Sequence, residues 1–415
     1  MTGKMAMKNT ASPAKHVVIV GGGFAGLSAA RRLAGQPGLH VSVVSDSPLF
    51  RYCPALYRVA TGYMRRQALM PVRDILPTDI ELKIATVTRI NRRKRQLTTD
   101  KKETLRYDYA ILALGVVTTF FGIKGLERYA YGIKSAEDLN RLHDHLHEQL
   151  TSTHALDSNY VVVGGGPTGV ELAAGLVSYL KKIAKKHRLK RHRVKLEIIE
   201  AAPRLLPTFL PRASALAERR LKRLGVKVMP NTKVESETSS SLLAQGRSLP
   251  TKTVIWTAGV TNHTFYKNNS RQFQLSDRGR VVVDDYLRVD QHLYVIGDNA
   301  ETPFSGQAET AVRMGKFVAA DIHKRQSGQP SSPYHHHRPT YVVPVGSNWA
   351  VMQWRGWVIG GWLAGLVRRA ADLIGYADVM GWNNAVRLWL KTDELQEDCV
   401  YCSSVETLIK NRYQA

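Results

Sequence analysis

Hydrophobic positions along the chain fall into three patterns. The first is a β-branched run that stops at glycines and gives way to apolar residues at helical spacing. It occurs twice, as HVVIVGGGFAGLSAARRLA from His16 and as YVVVGGGPTGVELAAGLVSYL from Tyr160. In both, the change of period predicts a strand, a tight turn and a helix. The second pattern is a short strand that ends at an acid. HVSVVSDSP carries Asp46 just past its end, VKLEIIEAAPRLLP reaches Glu200, and LYVIGDNAE runs into Gly297-Asp298. The third lies near the C-terminus. WAVMQWRGWVIGG predicts two short strands around a turn at Arg355-Gly356. From Gly361 on, Trp362, Leu366, Ala370 and Leu373 recur at near-helical spacing, with Arg368, Arg369 and Asp372 beside them. A second helical pattern follows GYADVMG, with Val386, Trp389 and Leu390 apolar and Arg387 and Lys391 charged. The expected class is α/β, with two Rossmann-like dinucleotide-binding domains and a C-terminal amphipathic, partly helical region.

The two glycine turns have a chemical reading. In the first, Gly21 permits the tight turn, Gly23 lets a pyrophosphate approach the backbone, and Gly26 lets the helix pack on the strand. The helix N-terminus adds a positive dipole for the phosphates. Gly164, Gly166 and Gly169 repeat that spacing. Asp46 and Glu200 stand where a ribose-binding acid is expected, and an acid there repels a 2′-phosphate. Glu200 therefore predicts NADH over NADPH, although Arg204, four residues on, could partly accommodate a phosphate. Two dinucleotide sites predict one tightly held and one exchanging nucleotide, with hydride passing from a nicotinamide to a flavin. An ordinary Gly-Asp turn and a flavin-contacting aspartate are the two readings of Asp298.

Composition adds the rest. The 415 residues are 44% hydrophobic and 22% charged, which suits a globular protein. The net charge of +25 favours polyanions, either nucleic acid or an anionic membrane surface. Three cysteines cannot build a disulfide framework. The N-terminal stretch lacks the apolar core of a signal peptide, and the expectation is a chain without a transmembrane helix.

GGGFAGL, YDYAILALG, GGGPTGVELA, EAAPRLLP, TVIWTAGV and LYVIGDNA occur in the order found in two-dinucleotide-binding-domain flavoproteins. Within that group the chain most resembles the type II (non-proton-pumping) NADH dehydrogenases, through PALYRVATG, the loop before EAAPRLLP, and TVIWTAGV. The resemblance covers Lys15 to Asp321 well and the tail loosely. It implies FAD in the first domain, NADH in the second, and an NADH domain inserted into the FAD domain. The expected boundaries are a flexible N-terminus at 1–14, the FAD domain at 15–150 and 262–335, the NADH domain at 151–261, and a membrane-anchoring or dimerisation region at 336–415.

Carried over residue by residue, the resemblance assigns Gly21, Gly23, Phe24, Ala25, Gly26, Asp46, Gly115, Gly297 and Asp298 to FAD. It assigns Gly164, Gly166, Thr168, Gly169, Glu200 and Gly259 to NADH. Glu171 matches a family glutamate near the nicotinamide–flavin contact. By its spacing it reads as a residue of the first helical turn, where the dipole favours its charge. The family's quinone tunnel carries an Ala-Gln-x-Ala-x-Gln-like helix. Here GQAETAVRMGKFVAADI places Glu309 and Arg313 where glutamines would stand. They are the expected quinone positions with altered polarity, or else a solvated i, i+4 pair.

Disulfide reductases of the superfamily need a Cys-x4-Cys pair beside the flavin. Only Cys53 is present there, and it reads as a packed thiol. Cys399 and Cys402 form a lone CxxC, and the HHH at 335–337 reads as exposed linker, so no metal is expected. The basic runs 181–193 and 92–95 carry no nucleic-acid-binding motif. They read as solvated surface that can help attract anionic lipid. Six of seven tryptophans lie between Trp349 and Trp389, in a region that suits a monotopic anchor, a homodimer interface or packing on the FAD domain. The resemblance favours the membrane. The resulting expectation is a peripheral enzyme on the cytoplasmic face of the cell membrane that passes hydride from NADH to FAD and two electrons to a quinone. A soluble NAD(P)H-dependent reductase of a small electron-transfer protein and a flavoprotein like the apoptosis-inducing factor group are the alternatives.

Overall fold

A computed structural model describes residues 14–153, 157, 159–186 and 194–391. The chain divides into two compact units. The first is built from the residues up to Pro48, Val72–Gly115 and Asn262–His336, and the second from Leu49–Pro71, Val116–Thr261 and the chain from His337 on. This division differs from the expected boundaries. Residues 49–71 and 116–150, expected with the first nucleotide domain, belong to the second unit, as does the described part of the C-terminal region. Close packing explains the first of these. Gly62 lies against the ring of Tyr179, and a Cβ at Gly175 would stand 3.1 Å from the Thr61 methyl.

The first unit grows from β1 (Lys15–Val20), α1 (Phe24–Leu33), β2 (Leu39–Ser45), β3 (Glu81–Ile84) and β4 (Tyr109–Leu112). Its six-stranded sheet runs Arg288–Asp290, Leu293–Val295, β4, β1, β2, β3. All neighbours are parallel except the edge pair of Arg288–Asp290 and Leu293–Val295. Val17, Val18 and Ile19 are fully buried, as a central parallel strand requires. The helix Ala308–Gln326 crosses α1 so closely that a Cβ at Gly315 would fall on the Ala25 carbonyl. Ser28 Oγ donates to the Val312 carbonyl at 3.1 Å in the same contact.

The second unit repeats the plan with β5 (Tyr160–Val163), α2 (Pro167–Lys186), β6 (Leu196–Ile199), β7 (Val226–Met229) and β8 (Thr253–Trp256). These strands form a parallel sheet in the order β7-β6-β5-β8. The C-terminal part adds an antiparallel meander, β9 (Tyr341–Pro344), β10 (Ala350–Trp354) and β11 (Trp357–Gly361). The turn falls at Arg355, whose φ is 52°, as the sequence predicts. Two helices follow, α3 (Trp362–Met380) and α4 (Trp382–Leu390), parted by Gly381 at a φ of 82°. No helix among the described residues is long and apolar enough to cross a membrane.

The α3 helix is inverted relative to an ordinary surface helix. Trp362, Leu363, Leu366 and Ile374 are each more than half exposed, and so are Trp357, Trp382 and Leu390 beside them. The inward stripe is Ala364, Arg368, Asp372, Tyr376 and Val379, at a spacing close to four. Arg368 and Asp372, which the sequence sets beside the apolar positions, turn inward, with side chains 13% and 10% exposed. Arg368 Nη2 lies 3.1 Å from Asp372 Oδ1, and Nε donates to Oδ2 at 3.2 Å. The guanidinium also donates to the carbonyls of Pro54 at 2.8 Å and Val342 at 3.3 Å. Tyr376 stacks on Tyr52 at 4.2 Å and donates to the Gln67 carbonyl at 2.8 Å. A charged helix face is therefore held inside by a nearly complete set of partners, while the apolar face stays outside.

Breaking such a set leaves a buried carboxylate uncompensated. Arg368→Ala is expected to lower the unfolding free energy by about 3–5 kcal/mol, read by denaturant titration of the FAD-loaded protein. A change below about 1 kcal/mol, as for an exposed pair, would contradict this burial.

Candidate functional site

In the first unit the glycines of the loop after β1 have distinct jobs. Gly21 has a φ of 117°, its N–H bonds to the Val44 carbonyl at 2.8 Å, and a Cβ there would fall on the Ala113 carbonyl. A Cβ at Gly26 would fall on the Gly21 carbonyl, so this residue sets the helix against the turn. Gly23 differs: a Cβ there would meet nothing within 4 Å. The first and third glycines are demanded by protein packing, whereas the middle one opens its backbone outward at the start of α1. That arrangement fits a pyrophosphate.

The parallel strands of this sheet bring further residues to the same edge. Asp46 follows β2 and is exposed. Gly297 has a φ of 70° and touches Ala25 of α1. Asp298 is half-buried, and its Oδ1 accepts the Gly306 N–H at 2.8 Å. Asn299, which the sequence reading passed over, is fully buried. Its Oδ1 accepts from the Gly115 N–H at 2.8 Å, and its Nδ2 donates to the Gly115 carbonyl at 2.6 Å. One side-chain amide thus locks the turn at Gly115 to the Gly297-Asp298 turn. The signal was present as the Asn of LYVIGDNA, but an amide that pairs both ways with a distant glycine has no spacing signature.

The second unit repeats the logic. Gly164 has a φ of 109°, a Cβ at Gly169 would fall on the Gly164 carbonyl, and Gly166 again opens into free space. Thr168, half-buried, sits in the first turn of α2. The Glu200 carboxylate accepts from the Gly165 N–H at 2.6 Å and the Ala202 N–H at 2.7 Å. It is therefore held against the loop, with lone pairs left for ribose hydroxyls. Arg204 is turned away. Its guanidinium donates to the carbonyls of Leu206 at 3.1 Å and Pro207 at 2.8 Å, and to Ser214 Oγ at 2.5 Å. A 2′-phosphate would meet the acid without the compensating arginine. Gly259 is required by contact with Phe121 and Thr119, whose N–H bonds to its carbonyl at 3.2 Å.

Glu171 departs from its sequence reading. α2 starts at Pro167, so Glu171 is its fifth residue and lies beyond the first turn, where the helix dipole gives its charge little help. It is buried, and Arg368 Nη1 lies 3.4 Å from its Oε1. One guanidinium thus faces two buried carboxylates. Asp372 takes the two-point contact, so a single proton on Glu171 leaves the set neutral. Burial, opposed by Arg368 and reinforced by Asp372, pushes the Glu171 carboxyl up to about 7. Tyr57 lies beside the set, and burial pushes its phenol far up, so it stays a neutral hydroxyl. Arg368 was read from the sequence only as a flanking charge. Its role comes from a packing contact across 197 residues of sequence.

The remaining expectations divide. Glu309 and Arg313 form the i, i+4 pair that was anticipated, at 2.8 Å, and both side chains are 47% exposed. Their geometry is that of a solvated pair. Cys53 is exposed, contrary to the packed thiol expected, because the 3-10 turn Cys53–Ala55 buries Ala55 and leaves residue 53 outside. His335, His336 and His337 are exposed and outside helices and strands. Cys399, Cys402 and residues 187–193 of the basic run lie outside the described residues. Arg92 of the other basic run is structural, with its Nε 2.8 Å from Asp290 Oδ2.

Residues 15–315 match the family model described as pyridine nucleotide-disulphide oxidoreductase, and the chain belongs to that family. A type II NADH:quinone oxidoreductase of Staphylococcus epidermidis is 25% identical over 382 residues, covering 86% of this chain and 94% of that protein. The type II NADH:quinone oxidoreductase NdhA of Mycobacterium tuberculosis is 26% identical over 395 residues, covering 87% and 84%. The fold matches the structure of NDH2 from Plasmodium falciparum in complex with NADH, with a TM-score of 0.83 and 16% identity over 91% of this chain and 97% of that one.

The raised Glu171 carboxyl has a pH consequence of definite sign. Between its unfolded value near 4.5 and about 7, the folded protein holds a proton that the unfolded chain has released, so stability falls as pH rises through that window. Glu171→Gln removes this dependence. The stability of the variant relative to the parent is expected to rise by on the order of 2–3 kcal/mol between pH 5 and pH 8. Parallel stability profiles for the two proteins would contradict it.

Proposed function

We propose that this protein is a peripheral membrane NADH:quinone oxidoreductase, acting from the cytoplasmic face without moving protons across the bilayer. FAD, once bound, supplies the chemistry of accepting a hydride from NADH and releasing two electrons to a quinone. The chain's own residues do the rest. The loop of Gly21, Gly23 and Gly26 would hold the FAD pyrophosphate, with Asp46 on its ribose, and Gly115, Gly297 and Asp298 would complete the edge. The loop of Gly164, Gly166, Thr168 and Gly169 would hold NADH, with Glu200 accepting from the ribose and Gly259 bounding the site. Glu171 would hold a proton near neutral pH, with Arg368 positioning it. The names of the relatives support the reaction and the quinone.

The observation that carries the membrane part is the inverted α3 helix. An exposed apolar face of this size marks an interaction surface. Its tryptophans are of the kind favoured at a membrane–water boundary. A reductase of a soluble protein carrier has no need of such a face. Glu309 and Arg313 are proposed as the polar residues nearest the acceptor path, on the strength of the family pattern alone.

Two outcomes follow. Glu200→Gln removes a charged acceptor from the ribose site. It should lower kcat/KM for NADH by roughly 10- to 100-fold and narrow the preference over NADPH, read by initial rates with both nucleotides. An unchanged NADH/NADPH ratio would remove Glu200 from that role. Trp362→Glu with Leu366→Glu changes only exposed positions of α3. The double variant should stop floating with phosphatidylglycerol-containing vesicles and lose turnover with a lipid-soluble quinone, while reduction of ferricyanide persists. Flotation and quinone turnover equal to the parent's would overturn the membrane reading.

A further inference from the structure

Phe121 combines two features that packing alone does not call for. Its φ is 52°, in the left-handed region that a bulky side chain seldom enters, and Gly122 follows at 70°. Its side chain is also 63% exposed, so little apolar burial offsets the backbone strain. A glycine would adopt this backbone without strain. Strain of this kind persists where the surrounding contacts over-determine it, and such places cluster at ligand sites.

The surrounding contacts here are specific. The Thr119 N–H donates to the Gly259 carbonyl at 3.2 Å, and Trp256 Nε1 donates to the Thr119 carbonyl at 2.8 Å. The Phe121 N–H donates in turn to Thr119 Oγ1 at 3.2 Å. Its ring stands edge-on to the buried Trp256, with centroids 6.3 Å apart, and lies on Gly259, where a Cβ would fall on the Phe121 ring. The loop is thereby fastened to the chain that follows β8, and the rest of the ring is left open. Phe121 also lines a cavity of about 820 Å³, together with Thr118, Thr119 and Gly122.

Strand order determines what this ring faces. The sheet runs β7-β6-β5-β8 with all strands parallel, and in such a sheet a dinucleotide lies outside the carboxyl ends. β6 runs into Glu200, the ribose acid, and β5 runs into the loop of Gly164 and Gly166, where the pyrophosphate would lie. β8 is the neighbour of β5 on the side away from β6, and it leads to Gly259. The ends of β5 and β8 are held together. Thr257 Oγ1 donates to the Val163 carbonyl at 2.8 Å, and a Cβ at Gly164 would stand 2.7 Å from the Ala258 Cα. A dinucleotide with its adenosine ribose at Glu200 and its pyrophosphate at Gly166 therefore extends its other half toward Gly259 and Phe121.

Resting on the reading of this unit as the NADH site, we propose that Phe121 is a binding residue for the nicotinamide riboside half of the nucleotide. Its ring offers a flat apolar surface at the end of β8, and Gly259 leaves room for that ring to lie close to the strand end. Planar rings pack on an aromatic face or edge, and the cationic nicotinamide of NAD⁺ is attracted further by the π face. ADP keeps the adenosine and the pyrophosphate and lacks that half, so it does not reach Phe121.

The test is calorimetric titration of the full-length FAD-loaded protein with NAD⁺ and, separately, with ADP. Phe121→Ala and Phe121→Gly should each weaken NAD⁺ binding by roughly 3- to 10-fold, the range for loss of one aromatic contact, and leave ADP binding unchanged. Phe121→Tyr should keep the parent's affinity for both. Phe121→Gly should also hold Tm at or above the parent's, because it relieves the left-handed strain at an exposed position. Unchanged NAD⁺ affinity in Phe121→Gly, or NAD⁺ and ADP weakened alike, would reduce Phe121 to a cover for Trp256 and overturn the proposal. A parent protein that binds neither nucleotide would overturn the NADH reading itself, and this proposal with it.

Discussion

The inward position of Arg368 constrains much of the second unit. A guanidinium cannot be buried without acceptors, and here it takes two backbone carbonyls, both oxygens of Asp372 and one oxygen of Glu171. Those partners come from the Pro54 turn, from β9, from α2 and from α3 itself. One side chain therefore fixes which face of α3 points inward. Turning the charged stripe outward would take Arg368 from the Glu171 carboxyl and from the Pro54 and Val342 carbonyls, and with the stripe inward Trp362, Leu366 and Ile374 face away. The exposed apolar surface is a consequence of the buried ion set.

The same interaction ties packing to proton chemistry. Asp372 already balances Arg368, so the second carboxylate gains little from ionising and pays the full desolvation. Glu171 is thereby placed near neutrality in its protonation, the range in which a carboxyl can give or take a proton at modest driving force. A glutamate in the first turn of α2, assisted by the dipole, would have been an ordinary surface anion. Its displacement by one turn, together with Arg368, changes its character.

The parts of this structure legible in the sequence are those set by local rules. The β-branched runs, the glycine spacings, the acids at strand ends and the Arg355 turn each follow from backbone sterics within a few residues, and each is found where it was expected. The parts that were not legible depend on contacts between distant segments. Asn299 meets Gly115 across 184 residues, and Arg368 meets Glu171 across 197. The grouping of residues 49–71 with the second unit depends on Gly62 and Gly175 allowing close approach. Periodicity alone cannot say which side of an amphipathic helix faces inward when a complete set of partners awaits its charges, which is why the sequence left open what the apolar face of α3 meets.

In the proposed reaction one chain accepts electrons from NADH and delivers them to a quinone. The most direct measurement is an anaerobic titration of the FAD-loaded protein, followed by flavin absorbance. One equivalent of NADH should bleach the flavin band, and one equivalent of a quinone should restore it with formation of the quinol. A flavin bleached by NADH that stays bleached with every quinone, yet recovers with a soluble protein carrier, would contradict the claim.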